Sequence, residues 1–144
     1  MSVRPADQNP VISDRDYARL LSVRTGLRRF ERWSSDQAAE HGVTSSQHQL
    51  LLAVRGHRGA GGPTIGQVAE YLLIRPHSAV ELVDRTEKGG LINRVRDTRD
   101  HRVVRLTLSP AGVHILTDLT SAHLSELTRL TPLFQSMIGE LDID

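Results

Sequence analysis

Charged and polar side chains recur along one segment of the chain at the spacing of a single helix face. The segment contains Arg75, His77, Ser78, Glu81 and Arg85. Arginine can donate two hydrogen bonds to guanine, and glutamate can accept one from cytosine. A helix that displays such groups therefore has the chemistry to read base edges in a major groove. No nucleophile elbow, zinc-hydrolase motif or cofactor fingerprint accompanies these residues, so we expect neither an enzyme nor a cofactor.

Two of these side chains have a second interpretation. Ser78 and Glu81 have the spacing of a capping box, in which both side chains bond the backbone at the start of a helix. If the helix begins at Ser78 rather than at Pro76, Glu81 serves the backbone and reads no base. The sequence leaves both starts open.

A second polar group follows as Asp97-Thr98-Arg99-Asp100-His101. Arginine is favoured in a narrow, electronegative minor groove, and a nearby carboxylate can hold its guanidinium in position. Asp97 and Arg99 are therefore the main candidates in this stretch. The flanking arginines either contact phosphates or form a solvated strand face, and they are Arg94, Arg96, Arg102 and Arg105. Arg102 can instead pair with Asp97 or Asp100 and stiffen the turn.

The elements that would position these groups can be predicted from local patterns. Thr64 and Gln67 form a capping box before an apolar helical stripe, and Arg75-Pro76 interrupts that stripe and begins a new helix. We predict that the second helix runs from Pro76 to about Lys88 and ends at Gly89-Gly90. Its inward side chains should be Ala79, Val80, Val83 and Thr86.

Two strands should follow, over residues 91–96 and 102–108, because both are rich in β-branched and apolar residues. The polar stretch between them supplies turn-forming aspartates. A helix, a tight turn, a second helix and a hairpin with a charged tip make up a winged helix of the DNA-reading kind.

Longer amphipathic helices are predicted on both sides of this unit. Ser13 should cap a helix running to about His41, and Thr44 with Gln47 should open a shorter one over residues 45–55. Ser109-Pro110 should begin another helix that breaks at Thr131-Pro132, followed by a short last helix with Leu133, Phe134, Met137, Ile138 and Leu141. The terminal helices carry more apolar surface than one winged helix can cover, which favours a dimer.

Composition narrows the class of protein. The 144 residues suit one domain, the formal net charge is +1, and there is no cysteine for disulfides or thiolate metal ligands. No apolar run has the length of a signal peptide or membrane span, so we expect a cytoplasmic protein. His41 with His48, and His114 with His123, lack the spacing of a metal site. The glycine-rich stretch 56–63 lacks the ending of a phosphate loop, so we interpret it as a flexible connector.

Three pieces of sequence together resemble the MarR family of bacterial transcription regulators. They are Val83-Asp84-Arg85-Thr86-Glu87-Lys88-Gly89-Gly90-Leu91-Ile92, then Asp97-Thr98-Arg99-Asp100-His101-Arg102, then Leu108-Ser109-Pro110-Ala111-Gly112. The chain departs from the family pattern at Thr86, where leucine is usual, at His101, where arginine is common, and in a short last helix. The resemblance implies that the first and last helices interlock in a two-fold dimer. It also points to the Asp-x-Arg pair in the wing, and to a small, often aromatic, ligand that releases DNA.

The expected fold is therefore mainly α with a small β-hairpin wing (α+β), a winged helix-turn-helix with N- and C-terminal dimerisation helices. Residues 1–12 should form a flexible arm and 13–144 a single MarR-like domain, with dimerisation helices at 13–42 and 110–144 and the winged helix at 44–108. The expected function is that of a ligand-responsive, homodimeric repressor that binds an inverted repeat in double-stranded DNA. The DNA-contacting residues would be Arg75, His77, Ser78, Glu81 and Arg85 in the helix, and Arg96, Asp97, Arg99 and Arg102 in the wing. The alternative is a winged helix kept as a protein-interaction or structural dimer module.

Overall fold

The fold is that of a winged helix with a long helix on either side. A computed structural model of the chain describes residues 10–139. The elements in that range are α1 (Asp14–Glu40), α2 (Ser45–Gly56), α3 (Ile65–Leu72), α4 (Pro76–Lys88), β1 (Ile92–Arg96), β2 (Val104–Leu108) and α5 (Pro110–Gly139). This order confirms the predicted mainly α architecture with a hairpin wing. Most of the predicted N-terminal arm, residues 1–9, and Leu141 of the predicted last helix lie outside the described residues.

Three of the helices begin at the capping boxes that the sequence predicts or permits. The hydroxyl oxygens of Ser13, Thr44 and Thr64 each accept the backbone N–H three residues on, at 3.2, 3.1 and 3.2 Å. In each box the third side chain accepts the N–H of the capping residue in return. Satisfying these otherwise unpaired donors fixes where α1, α2 and α3 begin.

An aliphatic core lies where α2, α3, α4, the hairpin and the first half of α5 meet. Its fully buried side chains include Leu50, Leu51, Val68, Val83, Leu106 and Leu119. The hairpin closes one side of the core, since β1 pairs antiparallel with β2 in a register that sets Ile92 opposite Leu108 and Arg96 opposite Val104. The buried Ile92 and Leu106 anchor the strands, and the charged tip extends beyond them.

The predicted break at Thr131-Pro132 is wrong, because α5 continues through Pro132 to Gly139. Proline removes one backbone donor from a helix, and this loss has a local cost. The last turns pack against α1, where a Cβ on Gly26 would lie 3.5 Å from the ring of Phe134. This apolar contact offsets the local cost, and the expected short helix is part of α5.

No helix within residues 10–139 combines the length and the apolar character that crossing a membrane requires.

Candidate nucleic-acid interface

The turn between α3 and α4 sets the direction of α4. Leu73 follows α3 in the left-handed conformation, with φ of 54°, and the chain then extends through Arg75 into Pro76. Arg75 occupies the N-cap position of α4 and makes no side-chain capping bond. The helix therefore begins at Pro76, as one of the two sequence interpretations has it. Ser78 therefore lies inside the first turn, and Ser78 and Glu81 do not form a capping box at the start of α4.

α4 has a buried face and a polar face. Ala79, Leu82, Val83 and Thr86 are buried, a stripe with the spacing i, i+3, i+4 and i+7. Val80 was expected to point inward, but it is 42% exposed because it lies outside that stripe, and Leu82 takes its place. The outer face is formed by exposed Arg75, His77, Glu81 and Arg85 with half-buried Ser78. The predicted recognition set thus shares one accessible surface.

Thr86, which stands where the family usually has leucine, is accommodated in the core. Its side chain is fully buried, and its hydroxyl donates to the Leu82 carbonyl at 2.7 Å. A buried hydroxyl costs little when it is hydrogen-bonded. The Thr86 hydroxyl therefore has a hydrogen-bond partner beneath α4.

An ion-pair network joins α4 to the hairpin. The guanidinium of Arg94, on β1, donates to Asp84 at 2.6 Å and to Glu87 at 2.5 Å, and both carboxylates lie on α4. These bonds raise the pKa of Arg94, chiefly through Asp84. With two carboxylates beside it, Arg94 has little capacity left for a phosphate, and it links α4 to the hairpin instead.

Asp97 organises the tip of the wing, but in a different way from the one expected. One carboxylate oxygen accepts the backbone N–H groups of Arg99 and Asp100 at 2.7 and 3.1 Å. The other accepts Nε of Arg105 at 2.6 Å. The expectation that Asp97 holds the Arg99 guanidinium is wrong, because the guanidinium bound to Asp97 is that of Arg105 and Arg99 contacts Asp97 through its backbone N–H. These bonds lower the pKa of Asp97 to about 2, with Arg105 the largest cause.

The remaining wing arginines differ in what they contact. Arg102 pairs with Asp100 at 3.0 Å, one of the two pairings that the sequence allows, and this bond lowers the pKa of Asp100. Arg96 donates to the His101 carbonyl at 3.3 Å. The Arg99 side chain is exposed and makes no hydrogen bond or ion pair within residues 10–139. Arg99 is therefore the wing arginine that is free to meet a ligand.

The sequence predicts only minor roles for Arg94 and Arg105. Both are engaged in contacts that local patterns do not show, since Arg105 reaches Asp97 across the hairpin and the Gly62 carbonyl in the α2–α3 loop, at 3.1 Å. The only sequence signal for the first of these contacts is the hairpin register, which brings Arg105 opposite Val95, two residues before Asp97. The contact with Gly62 has no local signal.

A cavity of about 590 Å³ lies at the junction of α1, α2 and α5. Phe30, Leu52 and Leu124 supply apolar walls, and Ser34, His48 and His123 supply polar groups. His123 donates from Nδ1 to the Leu119 carbonyl at 2.7 Å, and its Nε2 is hydrogen-bonded to the Ser34 hydroxyl at 2.6 Å. Phe30 on α1 and His48 on α2 both face this cavity.

His48 is the buried member of the cavity wall. Burial lowers its pKa below the ordinary 6.5, and neighbouring His123 and His41 lower it further. Its ring centroid is 4.7 Å from that of His123. Within residues 10–139 no three histidine, aspartate or glutamate side chains are grouped so that they could hold a metal ion.

The chain has a helix-turn-helix followed by a hairpin with a charged tip, and α4 is bonded to that hairpin. These features place the chain in the class of winged-helix proteins. The sequence model of the MarR family matches residues 41–103. Two similar relatives are the HTH-type transcriptional repressor MdtR of Bacillus subtilis, 27% identical over 92 residues, and the transcriptional activatory protein BadR of Rhodopseudomonas palustris, 28% identical over 111 residues. These alignments cover 64% and 76% of this chain but only 57% and 61% of the relatives, so the chain spans about three fifths of their length.

Solved structures share the same fold. A MarR family protein from Bacillus stearothermophilus has a TM-score of 0.72 at 21% identity, over 91% of this chain and 96% of that one. A variant of MepR from Staphylococcus aureus bound to an oligodeoxyribonucleotide has a TM-score of 0.61 at 20% identity, over 88% and 85%. The family model, the relatives and the solved structures agree that the chain is similar to the MarR family, a family of transcription regulators.

Proposed function

We propose that this protein is a sequence-specific DNA-binding transcription regulator that acts as a homodimer on an inverted repeat. One observation carries the proposal. The polar face of α4 is exposed, and within residues 10–139 Arg99 at the wing tip is unpaired, whereas the other arginines of the hairpin bond to the protein itself. A MepR variant of the same fold is bound to an oligodeoxyribonucleotide, which supports this use of the fold.

The exposed face of α4 would enter the major groove. Arg75 and Arg85 have the donors to bind guanine through two hydrogen bonds, and Glu81 can accept from cytosine because no backbone cap occupies it. His77 and Ser78 lie beside them near the helix N-terminus, where recognition helices commonly contact base edges. We assign these five residues to base and phosphate contacts.

The wing would follow the adjacent minor groove. Arg99 is the proposed groove contact, since arginine is favoured where the groove is narrow and electronegative. Arg96 and Arg102 would lie along the phosphates, with their existing bonds holding them near the backbone. Asp97 would contribute to the site by holding the wing turn in place, and it would not contact DNA itself.

The long helices α1 and α5 would form the dimer. Large apolar side chains stay exposed along them, namely Leu20, Leu21, Leu27, Leu124, Leu127, Leu133 and Ile138. Such a surface on one chain is typical of a subunit interface. A two-fold dimer would present two copies of α4 to successive major grooves, about 34 to 36 Å apart. In this arrangement residues 13–42 and 110–139 would form the dimer interface, and residues 44–108 would form the DNA-binding region.

The cavity between α1, α2 and α5 is the proposed place of a small-molecule effector. Its volume suits a small ligand, and its walls are apolar with Ser34, His48 and His123 as polar points. α2 also packs against α4 through the core, so a ligand that displaces α2 could move the recognition helix. Release of DNA requires that the ligand bind the DNA-free state more tightly. Addition of phenol or benzoate to the protein–DNA complex tests whether such a ligand lowers DNA affinity.

The proposed sign of regulation is repression, as in MdtR, while BadR is named an activatory protein. The site of this proposed action is the bacterial nucleoid, in the cytoplasm.

The function is tested by changing Arg99. On a duplex enriched from a random pool by the wild type, Arg99→Ala should weaken specific binding by about 1 to 3 kcal/mol, the range of a good readout contact. Fluorescence anisotropy measures the affinity, and light scattering should show the same dimer for both proteins. Arg55→Ala removes an equal charge from the exposed surface of α2, outside the proposed DNA contacts and the dimerisation helices, and serves as the matched control.

An affinity that Arg99→Ala leaves unchanged would remove the minor-groove contact. If the wild type enriches no duplex at all, the alternative of a protein-interaction or structural dimer module takes precedence.

A further inference from the structure

The guanidinium of Arg105 joins two parts of the molecule that are far apart in sequence. Nε donates to Asp97 at 2.6 Å, at the start of the wing turn, and Nη1 donates to the Gly62 carbonyl at 3.1 Å, in the loop before α3. The side chain is 26% exposed, so most of it is covered by the protein. Arg105 therefore connects the wing to the loop that leads into the helix-turn-helix.

The loop is built to approach β2 closely. Gly61 has φ of 75°, and a Cβ there would lie 2.9 Å from Cδ of Arg105. A Cβ on Gly62 would overlap the Leu106 carbonyl, and the N–H of Leu106 donates to the Pro63 carbonyl at 2.9 Å. The end of the glycine-rich stretch, residues 61–63, therefore packs directly against β2. The two glycines leave the space in which Arg105 reaches Gly62.

The connection continues from Asp97 to the residue that we assign to the minor groove. The carboxylate oxygen of Asp97 that Arg105 leaves free accepts the backbone N–H of Arg99 at 2.7 Å. A continuous series of hydrogen bonds thus runs from Gly62 through Arg105 and Asp97 to the backbone of Arg99. The low pKa of Asp97, about 2, keeps the carboxylate charged at every pH at which DNA binding is measured.

We propose that Arg105 is a positioning residue, which holds the wing turn against the α2–α3 loop and so sets where Arg99 meets the minor groove. The inference rests on the proposed DNA-binding function. A two-stranded hairpin is marginally stable by itself, and its tip would otherwise lose conformational freedom when DNA binds. Fixing the turn beforehand reduces that cost. Arg105 then contributes to affinity through Arg99, with its own charge balanced by Asp97.

A double-mutant cycle separates this role from a direct phosphate contact. Arg105→Gln should weaken specific binding by about ten-fold in the wild-type background and by less than about two-fold in the Arg99→Ala background. Non-additivity of this kind is expected only if both residues act through one contact. Arg55→Gln, exposed on α2 and outside both the dimerisation helices and the proposed DNA contacts, removes an equal charge and should be additive with Arg99→Ala.

Two further measurements distinguish positioning of the wing turn from a general loss of folded structure. Carboxyl NMR should show the pKa of Asp97 rising from about 2 towards its ordinary 3.8 in Arg105→Gln, in the absence of DNA. Arg105→Lys keeps the charge but cannot donate to Asp97 and Gly62 in the same planar arrangement, so it should restore part of the affinity. If Arg105→Gln fails to fold, Arg105→Lys replaces it in the cycle, with a smaller loss and the same non-additivity.

The outcomes distinguish this inference from the proposed function. Equal losses from Arg105→Gln in both backgrounds would identify a direct contact and overturn the positioning role, as would no loss in either. In both cases the weakened binding of Arg99→Ala would leave the DNA-binding function standing. A wild type that binds no duplex specifically would overturn the function and the inference together.

Discussion

At the scale of single residues, bonds within the protein decide which arginines are available to DNA. Arg94 and Arg105 are each held by carboxylates, whereas Arg99 keeps its guanidinium free within the described residues. The sequence predicts that the tip is charged and that Arg99 is its main contact. It could not predict the partners of Arg105, because these depend on a loop 43 residues away folding back onto β2.

His48 is a residue whose charge should affect stability. Its folded-state pKa is depressed by burial, so the folded protein binds fewer protons there than the unfolded chain does. The stability that this group contributes is present above its ordinary pKa of 6.5 and is lost as pH falls through the folded-state value. We therefore expect the free energy of unfolding to decrease below pH 6.5.

His48→Gln should flatten this part of the pH profile, because glutamine does not titrate. Urea denaturation at a series of pH values measures the effect. His101→Gln serves as the matched control, since it makes the same substitution at an exposed histidine in the wing turn. A slope that survives in His48→Gln would show that another group carries it.

At the scale of elements, helix starts are well predicted by sequence because caps are local. Three capping boxes and Pro76 fix the starts of α1 to α4 through bonds between residues at most three apart. The continuation of α5 through Pro132 was not predictable in this way. It depends on the contact of Phe134 with Gly26, more than 100 residues earlier, which a local pattern does not contain.

The turn between α3 and α4 stores strain that a substitution can release. Leu73 has a positive φ of 54° and is 91% exposed, so its side chain gains little from burial. A non-glycine residue in this conformation costs about 1 kcal/mol or more. Leu73→Gly should therefore raise the free energy of unfolding, by about 0.5 to 1 kcal/mol after allowance for the greater freedom of glycine in the unfolded chain.

Leu73→Ala is the matched control, because it removes the same exposed side chain but keeps the Cβ that causes the strain. Denaturant titration should show a gain for glycine and little change for alanine. Equal stabilisation by both substitutions would point to exposed apolar surface, and not the backbone, as the source.

At the scale of the whole molecule, two surfaces would have to work together. The apolar faces of α1 and α5 would pair two chains, and that pairing would set the distance between the two copies of α4. The sequence predicts both surfaces from periodicity alone. It does not predict their relative placement, because that depends on how the long helices pack against the winged helix.

The central claim is that a two-fold dimer reads two half-sites. Selection from a random duplex pool, followed by sequencing, tests it most directly, because the symmetry of the selected DNA reports the symmetry of the protein that binds it. We expect an enriched inverted repeat whose half-sites are about one helical turn apart, 10 to 10.5 base pairs from centre to centre. Enrichment of a single unrepeated site, or of no sequence at all, would contradict the claim.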